Sequence, residues 1–172
     1  YAASKPGYTG AVHAFEPVAH TFDDLADWVA QSGLAARITC HRLALSDKAG
    51  GGRMVVDAAV TGLARLTNET RGDGGDGDPV TLAVLDDLDL PPPDVMKIDV
   101  EGFERPVLEG LRSTLAAQRP VIVMELTVKA GLEPLFGSEV ELRSVLPQGY
   151  RPALLDFGES EYLNGNYSLK PF

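Results

Sequence analysis

The sequence predicts a single α/β domain over residues 1–172, built on a doubly wound, mostly parallel sheet. Segments with helical spacing of apolar residues alternate with short apolar blocks rich in β-branched residues, which lie at 11–15, 37–45, 95–100, 121–126 and 153–157. This alternation is typical of parallel sheets, in which each crossover carries a helix onto a sheet face. A chain of 172 residues is long enough for one such domain and too short for two.

Two helices are predicted, at 21–31 and 104–117. In the first, apolar residues recur at helical spacing, Thr21 is placed to cap the N-terminus, and acidic residues follow in the first turn. In the second, Pro106 falls in the first turn, where its missing N–H is harmless. We expect the second helix to pack on one face of the sheet through Val107, Leu108, Leu111 and Leu115.

The chain between these helices predicts a β-hairpin followed by a loop. Residues 53–57 and 62–67 have the composition of two short strands, and 71–79 form an acidic, glycine-rich connection. This connection lacks the alternating acidic ligands of an EF-hand, which argues against calcium binding. Three prolines at 91–93 are interpreted as a connector into the strand that follows.

Charge and cysteine content disfavour several classes of partner. The formal charge is −10 and no run of lysine or arginine offsets it, which disfavours nucleic acid and anionic membranes. No stretch approaches the roughly 18 uninterrupted apolar residues of a membrane span. The single cysteine, Cys40, allows no internal disulfide, so we expect a reducing, cytoplasmic location. Cys40 and the three histidines lack metal-ligand spacing and are expected to be structural.

Polar residues follow the predicted strands at the edge where open α/β sheets bind their ligands. Glu16 follows the first strand and precedes Pro17, so its carboxylate is placed to accept hydrogen bonds from both hydroxyls of a ribose. A helix-capping or solvated acid explains the same residue equally well. Ser46 and Asp47 follow the second apolar block and would flank an adenine ring, although a simple turn accounts for them too.

The segment VMKIDVEGFE, at 95–104, has the densest charge. In an extended strand, Lys97, Asp99 and Glu101 share one side, and the apolar residues between them share the other. Because buried charges need partners, we expect Lys97 to neutralise a neighbouring carboxylate and Asp99 to lie near the mouth of a site. A structural ion pair is the alternative. Glu125 lies near the end of the next strand and is expected to converge with Asp99.

Taken together, these segments resemble the FkbM family of methyltransferases. The resemblance is carried, in order and spacing, by VHAFEP at 12–17, LALSD at 43–47, MKIDVEGFE at 96–104, VLEG at 107–110 and RPVIVME at 119–125. The KIDVEGFE segment is its most specific part. The resemblance covers nearly the whole chain up to residue 126, and beyond that point only strand-like patterns remain.

The resemblance implies a class I, Rossmann-like methyltransferase fold, S-adenosylmethionine as methyl donor, and a hydroxyl acceptor on a sugar or another small natural product. The implied cofactor-binding residues are Glu16 and Pro17 at the ribose, Ser46 and Asp47 near the adenine, and Asp99 facing the transferred methyl group. For removal of the acceptor proton, Asp99 is also the first candidate for the general base. The implied catalytic set is Asp99, Glu101, Lys97 and Glu125.

Alternatives to this interpretation stay open. Family members begin with a strand and a glycine-rich turn, whereas YAASKPG at 1–7 looks like the end of the helix that follows them. We therefore expect an N-terminally incomplete domain that lacks the first strand and this loop. A degenerate binding or assembly module is the non-enzymatic alternative, and a nicotinamide-dependent oxidoreductase would use Glu16 equally well. A divalent metal is not favoured; if one is present, Asp99 and Glu125 would hold it.

Overall fold

The computed structural model describes residues 2–56, 64–67, 77–126, 136, 138–154 and 165–170. Strands in these residues are β1 (Val12–Phe15), β2 (Ile38–His41), β3 (Ala44–Leu45), β4 (Gly50–Val56), β5 (Ala64–Thr67), β6 (Asp78–Ala83), β7 (Val95–Ile98), β8 (Val121–Leu126), β9 (Arg151–Leu154) and β10 (Gly165–Lys170). Helices are α1 (Ala19–Gln31), α2 (Glu104–Glu109), α3 (Arg112–Gln118) and α4 (Glu139–Val145), and short 3-10 helices lie at Ala2–Ser4 and Leu85–Asp87.

Within the described residues the strands form three sheets, with strand orders β1-β2, β7-β8-β10-β9 and β3-β6-β4-β5. The chain passes from β1 to β2 through α1, and from β7 to β8 through α2 and α3. Both pairs are parallel, as the alternation of strands and helices predicts. β10 lies antiparallel between β8 and β9. The predicted α/β class is confirmed.

The first helix begins earlier than the sequence predicts. α1 starts at Ala19 with Val18 as its N-cap, so Thr21 lies inside the helix and its predicted capping role is wrong. The cap comes instead from outside the helix, because the Glu16 carboxylate accepts a hydrogen bond from the Val18 N–H at 2.8 Å. An acid at this position also suits the positive end of the helix dipole.

The apolar block at 37–45 forms two strands rather than one. β2 ends at His41, and two residues later β3 pairs in parallel with β6 in a different sheet. The predicted hairpin is confirmed as the antiparallel pair β4 and β5. Residues 71–76 of the predicted acidic loop and 155–157 of the last predicted strand lie outside the described residues.

The helix predicted at 104–117 is interrupted, which gives α2 and α3. The break falls at Gly110 and Leu111, where the Gly110 N–H bonds back to the carbonyls of Pro106 and Val107 at 2.9 and 3.1 Å. Asp86 then caps the N-terminus of α3. Its carboxylate oxygens accept hydrogen bonds from the N–H groups of Ser113 and Thr114 at 2.7 and 2.9 Å. α3 therefore has an N-terminal cap of its own, supplied from outside the helix.

The main core lies between the helices and the sheet that contains β7 and β8. Its fully buried members include Leu108, Leu111 and Leu115, which confirms that these positions pack on the sheet; Ile122 and Met124 face them from β8. Each large apolar side chain buried here contributes about 1.5–3 kcal/mol. Among the described helices, none has the length and apolar character needed to cross a bilayer.

Candidate functional site

Asp99 directly follows β7, at the carboxyl end of a strand that is parallel to its neighbour. Lys97 donates a hydrogen bond to the Asp99 carboxylate at 2.5 Å, which confirms the expectation that Lys97 neutralises a nearby acid. The Asp99 side chain keeps 35% of its surface exposed. The ion pair therefore holds a carboxylate at the sheet edge while leaving it accessible to a ligand.

The four residues after Asp99 form a tight turn. The Phe103 N–H donates to the Val100 carbonyl at 3.2 Å, and the two central residues, Glu101 and Gly102, have φ of 48° and 99°. Positive φ at both central positions defines a type I′ turn. Since β7 ends at Ile98, the extended pattern does not reach Glu101, and the expectation that this residue continues the charged side of the strand is wrong. Glu101 lies instead in the turn beyond the strand.

Glu125 lies near the end of β8. The parallel register pairs Ile98 with Met124, so Asp99 and Glu125 each follow a residue of the same pair. Adjacent parallel strands end at the same sheet edge, and the register thus places both acids there. Among the residues that the structure describes, no group of three or more histidine, cysteine, aspartate or glutamate side chains is arranged to hold a metal ion.

Glu16 lies at the carboxyl end of β1, where its backbone N–H donates to the His41 carbonyl at 3.0 Å. The side chain is half-buried, and one carboxylate oxygen caps α1 through Val18. The capping interpretation of this acid is therefore correct. Capping occupies Oε1 and does not conflict with ribose binding through the remaining acceptor positions of the carboxylate.

Ser46 and Asp47 lie after β3 and differ sharply in exposure. Ser46 is completely buried, and its Oγ donates to Asp47 Oδ1 at 2.9 Å. The Ser46 N–H donates to the Ala83 carbonyl at 2.8 Å, which ties the segment to β6. Asp47 is exposed. The pair thus consists of an exposed acid and a buried serine that orients it.

Gly110 contacts this segment from the end of α2. A Cβ atom built on Gly110 would lie 1.9 Å from the Ser46 carbonyl oxygen, so the two backbones touch at a distance that only glycine permits. The VLEG motif therefore includes a glycine for a steric reason. The sequence showed this glycine within the motif but gave no sign of the partner it contacts.

Glu104 is the acid that sequence reasoning left without a role. Its side chain is 1% exposed, although it belongs to the charged KIDVEGFE segment. Burial raises the pKa of Glu104, hydrogen bonds from the Gly102 and Glu104 N–H groups oppose the rise, and the neighbouring charges of Glu101 and Asp99 add to it. A charged residue at a helix start is usually solvent-exposed, so no local pattern could have revealed this burial.

Two histidines pair across β1 and β2. His13 Nδ1 and His41 Nε2 lie 2.9 Å apart, and the His41 ring also stacks on Phe15. Burial and, secondly, the charge of His13 lower the pKa of His41. Cys40, also on β2, is half-buried and has no disulfide.

In open α/β folds, ligands bind beyond the carboxyl ends of the strands, which is where these acids lie. The sequence profile of the Methyltransferase FkbM domain matches residues 1–151. The chain therefore belongs to the FkbM methyltransferase family.

The fold agrees with that of a solved member. The crystal structure of methyltransferase FkbM from Methylobacillus flagellatus KT superposes with a TM-score of 0.59 at 17% identity, over 93% of this chain. The chain spans about a third of that protein, covering 36% of its length. A search of curated proteins finds no match.

Proposed function

We propose that this chain forms part of an S-adenosylmethionine-dependent methyltransferase that methylates a hydroxyl group of a sugar or another small natural product. The observation that carries the proposal is the Lys97–Asp99 pair, an oriented and accessible carboxylate at the sheet edge where α/β folds bind ligands. Family membership supports methyl transfer. The formal charge of −10 favours a small acceptor over nucleic acid or a membrane surface, and the single cysteine favours the cytoplasm.

The described residues fit the nucleoside part of this cofactor. Glu16 offers a carboxylate fixed by its bond to Val18, which suits the two hydroxyls of a ribose. Asp47 is exposed and oriented by Ser46, which suits a contact at the edge of an adenine. When bound, the cofactor supplies a methyl group on a positively charged sulfur.

Asp99 is the proposed general base. An acceptor hydroxyl must lose its proton as it attacks the methyl carbon, and a carboxylate within hydrogen-bonding distance accepts that proton. The Lys97 ammonium donates a hydrogen bond to one oxygen of the Asp99 carboxylate, which leaves the other oxygen available to the hydroxyl. Glu125 follows Met124, the β8 partner of Ile98 in the strand register, and is proposed as a second acceptor that orients the hydroxyl.

Calorimetric titration of S-adenosylhomocysteine tests the cofactor site. We expect Glu16→Gln to weaken binding about tenfold or more, because hydrogen bonds to a charged acceptor contribute about 1.5–3 kcal/mol. This variant keeps an oxygen for the Val18 N–H, so its thermal stability stays close to that of the parent and separates binding from capping. Unchanged affinity in Glu16→Gln would contradict the ribose assignment.

Asp99→Asn tests the base. We expect it to bind S-adenosylhomocysteine nearly as well as the parent and to lower turnover of any methylated hydroxyl by about 10²–10⁴. The matched control is Asp94→Asn, an exposed aspartate that precedes the same strand at its opposite end. Loss of S-adenosylhomocysteine binding in Asp99→Asn equal to that in Glu16→Gln would contradict this division of roles.

The same titration separates the alternatives. Binding of NADH in place of S-adenosylhomocysteine would favour an oxidoreductase. Binding of S-adenosylhomocysteine only after N-terminal extension of the chain would place the rest of the cofactor site upstream, and no binding by either form would favour a non-enzymatic module. Turnover that depends on added Mg²⁺ and is lost in both Asp99→Asn and Glu125→Gln would favour a metal-assisted reaction over a simple base.

A further inference from the structure

Glu104 is buried directly behind the turn that follows Asp99. It is the first residue of α2 and one of two buried polar or charged side chains among the described residues, the other being Ser46. Its Oε1 accepts a hydrogen bond from the Gly102 N–H at 3.1 Å. The side chain thus points back from the helix to the centre of the turn.

The turn needs support of this kind. Glu101 has φ of 48°, a left-handed conformation that is unfavourable for any residue with a Cβ atom. Strained conformations persist only where surrounding contacts hold them, and they concentrate at functional sites. The Phe103 N–H donates to the Val100 carbonyl across the turn, and the Gly102 N–H donates to the Glu104 carboxylate. The N-cap residue of α2, Phe103, provides no side-chain cap of its own.

Burying the ionised carboxylate of Glu104 at this position is energetically unfavourable. Glu104 is removed from water, and the charges of Glu101 and Asp99 act on it from nearby, so its ionised form is disfavoured by all three. The hydrogen bond from the Gly102 N–H opposes this effect, so the contact with the turn offsets part of the cost of burying the side chain.

We propose that Glu104 is a positioning residue: its hydrogen bond to Gly102 holds the left-handed turn and so fixes Glu101 at the mouth of the site. Through the same turn it fixes the chain that leaves Asp99. This role rests on the proposed function, because the two fixed carboxylates are those assigned to the methyl-transfer site.

The charge of the methyl donor offers a direct measure of carboxylate position. S-adenosylmethionine and S-adenosylhomocysteine differ by a methyl group and one positive charge at sulfur, so the ratio of their affinities reports the negative charge held near that atom. We expect Glu104→Ala to shift this ratio about fivefold against S-adenosylmethionine, the effect of moving a unit charge by a few ångströms at moderate dielectric. Glu104→Gln keeps an acceptor for Gly102 and should stay within about twofold of the parent.

The control is Glu109→Ala, at the other end of α2. Glu109 is paired with Arg105 and Arg112 at the far end of the helix from the turn, so its variant should keep the parent ratio. A parent-like ratio in Glu104→Ala would overturn the proposal. Equal shifts in Glu104→Gln and Glu104→Ala would also overturn it, since charge rather than the hydrogen bond would then be responsible.

A second measurement covers the case in which Glu104→Ala does not fold. The amide proton of Gly102, followed by NMR against pH, should titrate with the Glu104 carboxylate in the parent chain and lose that titration in Glu104→Gln. No pH response in the parent would overturn the proposal. If the parent binds neither ligand, the proposed function fails, while the Gly102 titration still decides whether Glu104 holds the turn.

Discussion

Substituting Gly110 by alanine tests the contact between α2 and the segment after β3. Gly110 has an ordinary φ of −81°, so the substitution introduces no backbone strain. The added Cβ, however, would lie 1.9 Å from the Ser46 carbonyl oxygen and 2.8 Å from its carbon. Both atoms belong to the backbone and cannot rotate away. One of the two chain segments must move.

The structure sets the size of the effect. Ordinary contact begins at 3.4 Å, so the backbones must separate by about 1.5 Å. Overpacking in a rigid interior costs about 1–3 kcal/mol, and weakening the Ser46 N–H bond to Ala83 adds about 1 kcal/mol. A total near 3 kcal/mol lowers the Tm of a chain of this size by about 6–12 °C. Movement of Ser46 also displaces Asp47, so S-adenosylhomocysteine binding should weaken.

Thermal unfolding followed by circular dichroism, with calorimetry of S-adenosylhomocysteine, measures both effects. Gly51→Ala is the matched control, because a Cβ at Gly51 meets no atom within 4 Å and its φ is not in the positive range. It should keep the Tm and affinity of the parent. A Tm loss in Gly110→Ala of less than about 2 °C would refute the steric argument, since no overlap of this size could then exist.

Three further outcomes concern pH. Asp86→Ala should lower the free energy of unfolding by about 1–2 kcal/mol, measured in urea at pH 7. Burial alone would raise the pKa of Asp86, but hydrogen bonds from Thr114 and Ser113 outweigh burial and lower it. The difference in stability between parent and variant should therefore disappear as pH falls through that lowered pKa. Burial raises the Glu104 pKa above 4.5, so the parent should lose stability as pH rises through the raised value, and Glu104→Gln should not. Burial and then His13 lower the His41 pKa below 6.5, so unfolding temperatures should fall as pH drops below 6.5, and less steeply in His13→Asn.

The sequence predicted the parallel units well because their signals are local. β7 and β8 are short apolar runs with a helical pattern between them, and burial on both faces requires that composition. The pairing of Lys97 with Asp99 was predictable for a similar reason, since alternate residues of a strand lie on one side. These features depend on residues that are neighbours in the chain.

The helix boundaries that the sequence predicts wrongly depend on contacts outside the helices themselves. Thr21 has the chemistry of an N-cap, but the Glu16 carboxylate accepts a hydrogen bond from the Val18 N–H, and α1 begins at Ala19. The apolar pattern at 104–117 continues across Gly110 without interruption, whereas the helix breaks there and Asp86 caps the new start. Helical periodicity records which face is buried and does not record where a tertiary contact ends the helix.

In the candidate site, too, some features follow from the local sequence and others from tertiary contacts. Strand ends locate Glu16 at the carboxyl end of β1 in one sheet, and Asp99 and Glu125 at the carboxyl ends of β7 and β8 in another, because α/β topology fixes these ends. Glu101 lies beyond the strand on which the pattern places it; a type I′ turn usually has glycine or asparagine at its first central position, so a glutamate there gives no turn signal. The burial of Glu104 follows from packing around the turn and leaves no trace in the local sequence.

The family motifs KIDVEGFE, VLEG and LALSD are connected in the structure through α2. The turn after Asp99 is held by Glu104 at the start of α2, and Gly110 just beyond the end of α2 contacts the carbonyl of Ser46, which orients Asp47. The six residues of α2 span about 9 Å, so a short rigid helix joins the proposed base to the proposed adenine contact. The spacing between KIDVEGFE and VLEG is therefore a geometric requirement, since inserting one residue in α2 would rotate Gly110 about 100° away from Ser46.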